Sequence, residues 1–266
     1  MMLAESRRML AGRRVMAEDF GLPWFKRRTE ELNQELHINR KLWEWVTIVQ
    51  AHRDLVLPSD CAIGFGVGQE PIPAWLAARG VKVVATDRPD PGIWNSKIPG
   101  AGHASGKDQI LCEGICQRQV FNTNVTYRPV DMVAIPEDLH GKFDFSWSSS
   151  CFEHLGSIQA GLNFFCEQMK CLRPGGIAAH TTEYNFLSNY QTLEAHDLVA
   201  FRQRDFTDLK KQLKDQGDIL FPLDLLGGKE EADLFVDEAP YQEEPHLAIK
   251  LAGHSFTSVL LVASRG

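Results

Sequence analysis

The sequence predicts an α/β fold: a doubly wound, seven-stranded, mostly parallel sheet with an antiparallel last strand, plus helices at the N-terminus. Three observations lead there. Short apolar runs alternate with helical patterns through the middle of the chain. A glycine turn, "GFGVG", joins the first such run to the helix after it. The chain closes on "FTSVLLVASR", an apolar run preceded by an acidic stretch with no strong helix pattern. A last strand without a crossover helix before it is expected to pair antiparallel.

The elements follow in order. "MMLAESRRMLAGRRVM" is Arg-rich and weakly amphipathic, as transit peptides are, but Glu5, Glu18 and Asp19 favour an ordinary N-terminal helix. Ile38, Leu42, Trp45, Val46 and Val49 recur at helical spacing and predict a helix over 26–52, stopped by Pro58. Trp43 and Trp45 read as core residues of that helix. Cys61–Ile63 is a short strand running into the glycines. "PIPAWLAARG" is a helix with Pro71 and Pro73 in its first turn and Gly80 at its stop. "VKVVATD" is the second strand. A Gly/Pro/Ser-rich loop over 88–107 and a short helix near 108–116 follow. "VTYRPVDM" is the third strand, ending at Asp131, and "KFDFSWSSS" the fourth. Leu155, Ile158, Leu162, Phe165, Met169 and Leu172 form one apolar helical stripe that stops at "RPGG". "GIAAHTTEY" is the fifth strand. "DFTDLKKQLKDQG" is a helix with Asp205 or Thr207 as N-cap and Gly217 as stop. "DILFPLDL" and "FTSVLLVASR" are strands six and seven.

This divides the chain into an N-terminal helical extension over 1–57 and a ligand-binding domain over 58–266, with an acidic insertion over 222–254. A connection that long inside a compact domain suits a lid over a substrate. The chain has 266 residues and a net charge of -7, a poor composition for neutralising nucleic-acid phosphates. No run of about 18 apolar residues appears, so no membrane span is expected. Cys61, Cys112, Cys116, Cys151, Cys166 and Cys171 read as free thiols of a reducing, cytoplasmic compartment. The oligomeric state is open.

The glycine spacing narrows the ligand. A dinucleotide fingerprint is G-x-G-x-x-G, and a P-loop needs G-K-[ST] at the start of its helix. Here Gly64, Gly66 and Gly68 form G-x-G-x-G, followed by Gln69 and Glu70, an acid badly placed beside pyrophosphate. Asp87 ends the second strand, where a carboxylate can accept both hydroxyls of a ribose.

At these residues the sequence resembles the class I S-adenosylmethionine-dependent methyltransferases, which are Rossmann-like. The resemblance covers about residues 58–185 and, more loosely, the last strand pair. "IGFGVG" looks like that family's motif around the methionine and ribose of the cofactor, and "VVATD" like its ribose motif. "VDM" is similar to its adenine site, "FDFSWSSSCFEHLGS" to its fourth strand and following helix, and "CLRPGGIAAHTTEYN" to its fifth-strand turn. The resemblance implies S-adenosyl-L-methionine as cofactor, held by Gly64, Phe65, Gly66, Gly68, Asp87, Arg88, Asp131, Met132, Ser148 and Ser149. It departs at Ala62, where the family often has an acid, so the amine of the methionine moiety needs another acceptor. "WEWVTIVQA" ahead of "IGFGVGQEP" most resembles bacterial methyltransferases that accompany glycosyltransferases in surface-polysaccharide pathways.

Two residues are candidates for proton transfer. His154 follows the fourth strand on the rim where an acceptor should lie. Glu183 ends the fifth strand, at the carboxyl edge where open α/β sheets bind ligands. Some relatives place a divalent metal on "E-x-x-E-H" here. Ser150 replaces the first carboxylate before Glu153 and His154, so no metal is expected. The function that follows is O-methylation of a sugar, glycan or other small polar metabolite. The alternatives are a catalytically silent partner protein that binds the same cofactor and, in a third class, an NAD-dependent oxidoreductase.

Overall fold

A computed structural model of the chain describes residues 12–56, 61–89 and 102–266. In chain order the elements are β1 (Gly12–Arg14), α1 (Pro23–Glu31), α2 (Arg40–Leu55), β2 (Cys61–Gly64), α3 (Ile72–Ala77), β3 (Lys82–Asp87) and α4 (Arg118–Asn124). Then come β4 (Val125–Pro129), β5 (Phe143–Ser149), α5 (Ile158–Met169), β6 (Leu172–Asn185), the hairpin β7 (Glu194–Ala195) and β8 (Leu198–Val199), and α6 (Gln203–Asp215). The chain ends with β9 (Ile219–Leu220), β10 (Leu223–Asp224), α7 (Glu231–Leu234), β11 (Val236–Glu238), β12 (Ala248–Leu251) and β13 (His254–Ser264).

The main sheet runs β10-β1-β13-β6-β5-β2-β3-β4. Strands β4, β3, β2, β5 and β6 are parallel neighbours, and β13 lies antiparallel to β6 along Phe256↔Asn185 to Ser264↔Ile177. This is the expected mostly parallel α/β sheet with its reversed last strand, but it holds eleven strands among the described residues rather than seven, because strand six is split into β9 and β10 and β1, β11 and β12 are added at that side. Strand order turns at β2, which has β3 on one side and β5 on the other. The chain therefore leaves the carboxyl ends of β2 and β5 in opposite directions and opens a crevice between them. Alternation divides the core between the two faces. Phe145, Trp147, Ala179, Leu260 and Val262 pack with α1, α2 and α3 on one face, while Ala178, Val259, Leu261 and Ala263 pack with α5 and α6 on the other.

Several local expectations change. The helix expected over 26–52 is two helices. Asn33 adopts φ 51° after α1, and Asn39 caps α2 by accepting from Lys41 N at 2.8 Å. One asparagine in the left-handed region and a second whose side chain caps the next helix break the run. Helix α2 ends at Leu55, and the stop assigned to Pro58 lies outside the described residues, as do positions 1–11 of the N-terminal helix and 90–101 of the Gly/Pro/Ser loop. Residues 12–14, read as helix, form β1 between β13 and β10. A Cβ on Gly12 would lie 2.6 Å from the carbonyl oxygen of Leu260, so only glycine lets the strands approach there. The helix expected near 108–116 is a single 3-10 turn over Lys107–Ile110, and α4 follows it. Helix α5 starts at Ile158 behind the Ser157 cap, so Leu155 precedes it and Leu172 belongs to β6. The N-cap of α6 is Arg202. Asp205 sits at the third helical position and accepts from the backbone of Arg202 at 2.7 Å, so it serves the cap from inside. Strand six breaks at Pro222, which has no N–H to donate: β9 pairs with β13 and β10 with β1.

The insertion over 222–254 is partly sheet, since β12 pairs with β13 and β11 with β12. Its other end meets α2: His246 N donates to Ile38 O, Arg40 N to His246 O, and Asn39 Nδ2 to Glu243 O. The N-terminal helices share one core with the sheet, with Phe25, Trp43, Val46 and Val49 buried alongside Phe145 and Trp147. No helix among the described residues is long and apolar enough to cross a membrane.

Candidate active site

The glycine turn is pinned from both neighbouring strands. Phe65 N donates to Trp147 O on β5, and Val67 N donates to Thr86 O on β3. Gly66 and Gly68 take φ 60° and 51°. A Cβ on Gly66 would lie 2.8 Å from Cys151 Sγ, and one on Gly68 would lie 2.8 Å from Gly102 O, so the turn needs glycine for both conformation and space. Helix α3 behind it has six residues, with Pro71 as cap and Pro73 inside. Two prolines remove two of the amides that a phosphate would need. The start of α3 therefore offers a phosphate fewer amide donors than an uninterrupted helix end would.

A cavity of about 520 Å³ opens over this turn. By element, one wall is the glycine turn with the end of β3 and the segments after β3 and β4 (Gly66, Gly68, Gln69, Glu70, Asp87, Arg88, His103, Asp131 and Met132), and the other is α2 with the end of β5 and the turns beyond it (Lys41, Trp45, Ser149, Ser150, Cys151, His154, Leu155, Gly156 and His196). Of the cofactor residues expected from sequence, Gly66, Gly68, Asp87, Arg88, Asp131, Met132 and Ser149 line the cavity, and Gly64, Phe65 and Ser148 stand behind it. A Cβ on Gly64 would meet the Trp147 ring at 2.3 Å. Phe65 packs edge-on to Phe164, and Ser148 Oγ lies 2.7 Å from His180 Nδ1 in the core. Burial pushes His180 down to about 3, so it is neutral. Trp43 is core, as expected, with its indole donating to Asp19; Trp45, also read as core, reaches the cavity.

Asp87 is a junction. Its Oδ2 accepts from Gly68 N (3.2 Å) and Ala104 N (2.9 Å), and its Oδ1 from Arg88 N (2.8 Å). One carboxylate thus ties the glycine turn to the end of β3 and to the segment at Gly102. Glu70 is 5% exposed and accepts from Trp147 Nε1 at 2.5 Å. Burial pushes it up to about 8.

The opposite wall is built on charge. Glu44 of α2 is fully buried and has four side-chain donors: Lys41 Nζ (2.9 Å), Ser149 Oγ (3.0 Å), Ser150 Oγ (2.7 Å) and Ser258 Oγ. Burial opposes its charge, but Lys41, Arg40 and the hydroxyl donors outweigh it and hold the carboxyl below its usual value. Arg40 forms a buried pair with Glu183, so Glu183 lies behind the wall and its carboxylate is taken up by a guanidinium rather than turned to the cavity. Glu153 Oε2 accepts from Thr182 Oγ1 at 3.0 Å, while Oε1 has no hydrogen-bond partner among the described residues. Burial, with Glu183 nearby, pushes Glu153 up to about 8.

His154 lines the cavity. Its Nδ1 is 2.6 Å from the carbonyl oxygen of Asp197, and its Nε2 is 4.0 Å from Glu153 Oε1. A carbonyl can only accept, so Nδ1 carries the proton and, in the neutral ring, Nε2 carries the lone pair. Burial pushes His154 down to about 4, keeping it neutral near pH 7.

Arg40, Lys41, Glu44 and Glu70 were not among the residues expected from sequence. One signal was available for Glu44: a lone acid inside the apolar "LWEWV" of a helix, with Lys41 three residues before it.

No protein-family model matches the chain, and no curated protein does. Solved structures with a similar chain path include the CcbJ methyltransferase from Streptomyces caelestis (12% identity, 93% of this chain and 98% of that one, TM-score 0.48). Another is 1,6-didemethyltoxoflavin-N1-methyltransferase from Burkholderia thailandensis, with bound 1,6-didemethyltoxoflavin and S-adenosylhomocysteine (13%, 93% and 86%, TM-score 0.49). The chain spans 60% of the length of a candidate sarcosine dimethylglycine methyltransferase from Galdieria sulphuraria (17% identity over 67% of this chain, TM-score 0.46) and 54% of CurJ carbon methyltransferase. The fold itself rests on the strand order and register described above.

Proposed function

We propose that the chain is an S-adenosylmethionine-dependent methyltransferase that O-methylates a sugar, glycan or other small polar acceptor. One observation carries the reading: a single cavity joins the glycine cradle and Asp87 to a neutral histidine whose tautomer is set by a backbone carbonyl. The cradle fits an adenosyl cofactor. Its glycines hold the turn close against Cys151, Gly102 and Trp147 with the backbone facing the cavity, Asp87 ends β3 as a ribose diol acceptor, and Pro71 and Pro73 at the start of α3 disfavour the pyrophosphate of NAD. Asp131 and Met132, on the same wall, would flank the adenine.

The bound cofactor supplies an already activated methyl group on a sulfonium. What remains for the protein is alignment and proton removal. Holding the acceptor oxygen in line supplies much of the rate, up to about 7–11 kcal/mol where geometry is ideal. As the acceptor oxygen takes the methyl, its proton passes to His154 Nε2, while Asp197 O keeps the ring oriented through Nδ1. Lys41, Ser150 and His196 offer polar contacts, and Trp45 and Leu155 an apolar platform, a lining suited to the hydroxyl edge and CH face of a sugar. Glu183 enters this account as the partner of Arg40 rather than as a base. The insertion over 222–254 is absent from the cavity lining; by bracing residues 38–40 it would set the position of Lys41.

The test is transfer of labelled methyl from S-adenosylmethionine to a panel of nucleotide sugars and glycans, with calorimetry against S-adenosylmethionine, S-adenosylhomocysteine and NAD. Methyl incorporation establishes the enzyme. Cofactor binding without transfer to any acceptor favours the silent partner, and preference for NAD overturns the reading. A place in surface-polysaccharide assembly rests on the sequence resemblance alone, and the acceptor panel tests it directly.

A further inference from the structure

We propose that Glu70 receives the ammonium group of the ligand that fills the cavity, and that binding displaces a proton from its carboxyl. This rests on the reading of that ligand as S-adenosylmethionine. Position and hydrogen-bond donors together distinguish the carboxyl groups around the cavity: Glu153 and Glu183 do not line it. Asp87 accepts from three backbone amides, and Glu44, behind the wall, from four side chains. Asp131 is exposed to water. Glu70 lines the cavity, is 5% exposed, and has one donor among the described residues, Trp147 Nε1. An ionised carboxylate so placed is costly until a cation with donors arrives. A sulfonium has no N–H to offer. An ammonium offers three, so the amine end of the ligand matches Glu70 and the sulfonium does not.

Several charged and titratable groups act on Glu70. Lys41 and Glu44 come from α2, Asp87 from β3, Cys151 from the turn after β5 and Cys112 from the segment before α4. Burial is the largest influence and pushes Glu70 up to about 8; Trp147 and Lys41 oppose it, and Glu44 and Asp87 add to it. Glu70 is therefore mostly protonated near pH 7. On binding, Glu70–COOH loses its proton to the buffer, and the ligand's ammonium keeps all of its own and donates to the carboxylate.

Calorimetric titration of the full chain with S-adenosylmethionine at pH 6 and pH 7, in phosphate and in imidazole, tests this. The ligand amine stays protonated across that range, since α-amino groups titrate at about 7.7–8.0. The expected results are about tenfold tighter binding at pH 7 than at pH 6 and release of close to one proton per ligand. In E70Q both dependences should vanish. 5′-Methylthioadenosine, which lacks the amine, should bind the wild type equally at both pH values. Equal affinity for S-adenosylmethionine at pH 6 and pH 7 without proton release overturns the role of Glu70 and leaves the methyltransferase reading standing. The same pH dependence with 5′-methylthioadenosine does likewise. Absence of any binding overturns both. The wild-type proton count needs no variant, so the test survives poor folding of E70Q.

Discussion

On one side of the cavity the chain turns within a few residues: β2, Gly66, Gly68 and Asp87 are held together mainly by backbone amides. On the other, segments more than a hundred residues apart converge on Glu44, where α2 meets Ser149, Ser150 and Ser258 at sequence separations of 105, 106 and 214. The first wall is joined mainly through main-chain amides, with the Asp87 carboxylate as their common acceptor. The second is a set of charge pairs, Arg40 with Glu183 and Lys41 with Glu44, in which removing one partner leaves the other costly. In the proposed function the first wall holds the cofactor and the second meets the acceptor, so the two tasks fall to different kinds of structure.

The sharpest way to separate the walls is at His154. Replacing it with Gln should lower kcat by about 10²–10⁴-fold while leaving cofactor affinity unchanged, read by methyl transfer and by calorimetry. Equal loss of binding would put His154 on the cofactor wall and erase the distinction. Because burial holds the ring neutral, kcat at saturating cofactor should not fall through the ordinary histidine range near pH 6.5, but only as pH approaches 4.

Next in size is the charge cluster. Glu44→Leu leaves Lys41 and three hydroxyls without their acceptor and should cost about 3–5 kcal/mol in urea unfolding, the usual penalty for removing one partner of a buried pair. The folded-state value of Glu44 is depressed, so the stabilisation from its charge is full above the unfolded carboxylate value and lost as pH falls through the folded one. The stability gap between wild type and Glu44→Gln should therefore narrow as the pH is lowered below the carboxylate range. A gap independent of pH would mean that hydrogen bonding alone, not charge, holds this wall.

On the cofactor wall, Asp87→Asn should weaken S-adenosylmethionine binding by about ten- to a hundredfold, the scale of one lost hydrogen bond to a charged group. Acceptor KM at saturating cofactor should stay constant. The smallest effect is expected at Asn39→Ala. It removes the cap of α2 and the contact to Glu243, and should cost about 1 kcal/mol with a modest rise in acceptor KM. An unchanged KM would show that the insertion does not set the position of Lys41.

The mostly parallel sheet, its reversed last strand and the glycine turn were legible in the sequence. Those features are local: apolar periodicity, a G-x-G-x-G turn between strand and helix, and an acid closing the next strand are all written in consecutive residues. The place of His154 on the cavity was legible for the same reason, because it follows a strand whose end must face the crevice. Only the tertiary structure decided which carboxylates reach the cavity. Glu183 lies at the strand end where an open sheet binds ligands, yet Arg40, 143 residues earlier, takes its charge. Glu70 reads as the start of a helix, yet Trp147 draws it into the wall. Strand β1 and the division of the first long helix were likewise hidden, since Gly12 finds its place against Leu260 only once β13 is formed. The physical reason is shared. A buried charge is tolerable only where partners from elsewhere in the chain satisfy it, and local sequence does not reveal which partners will arrive.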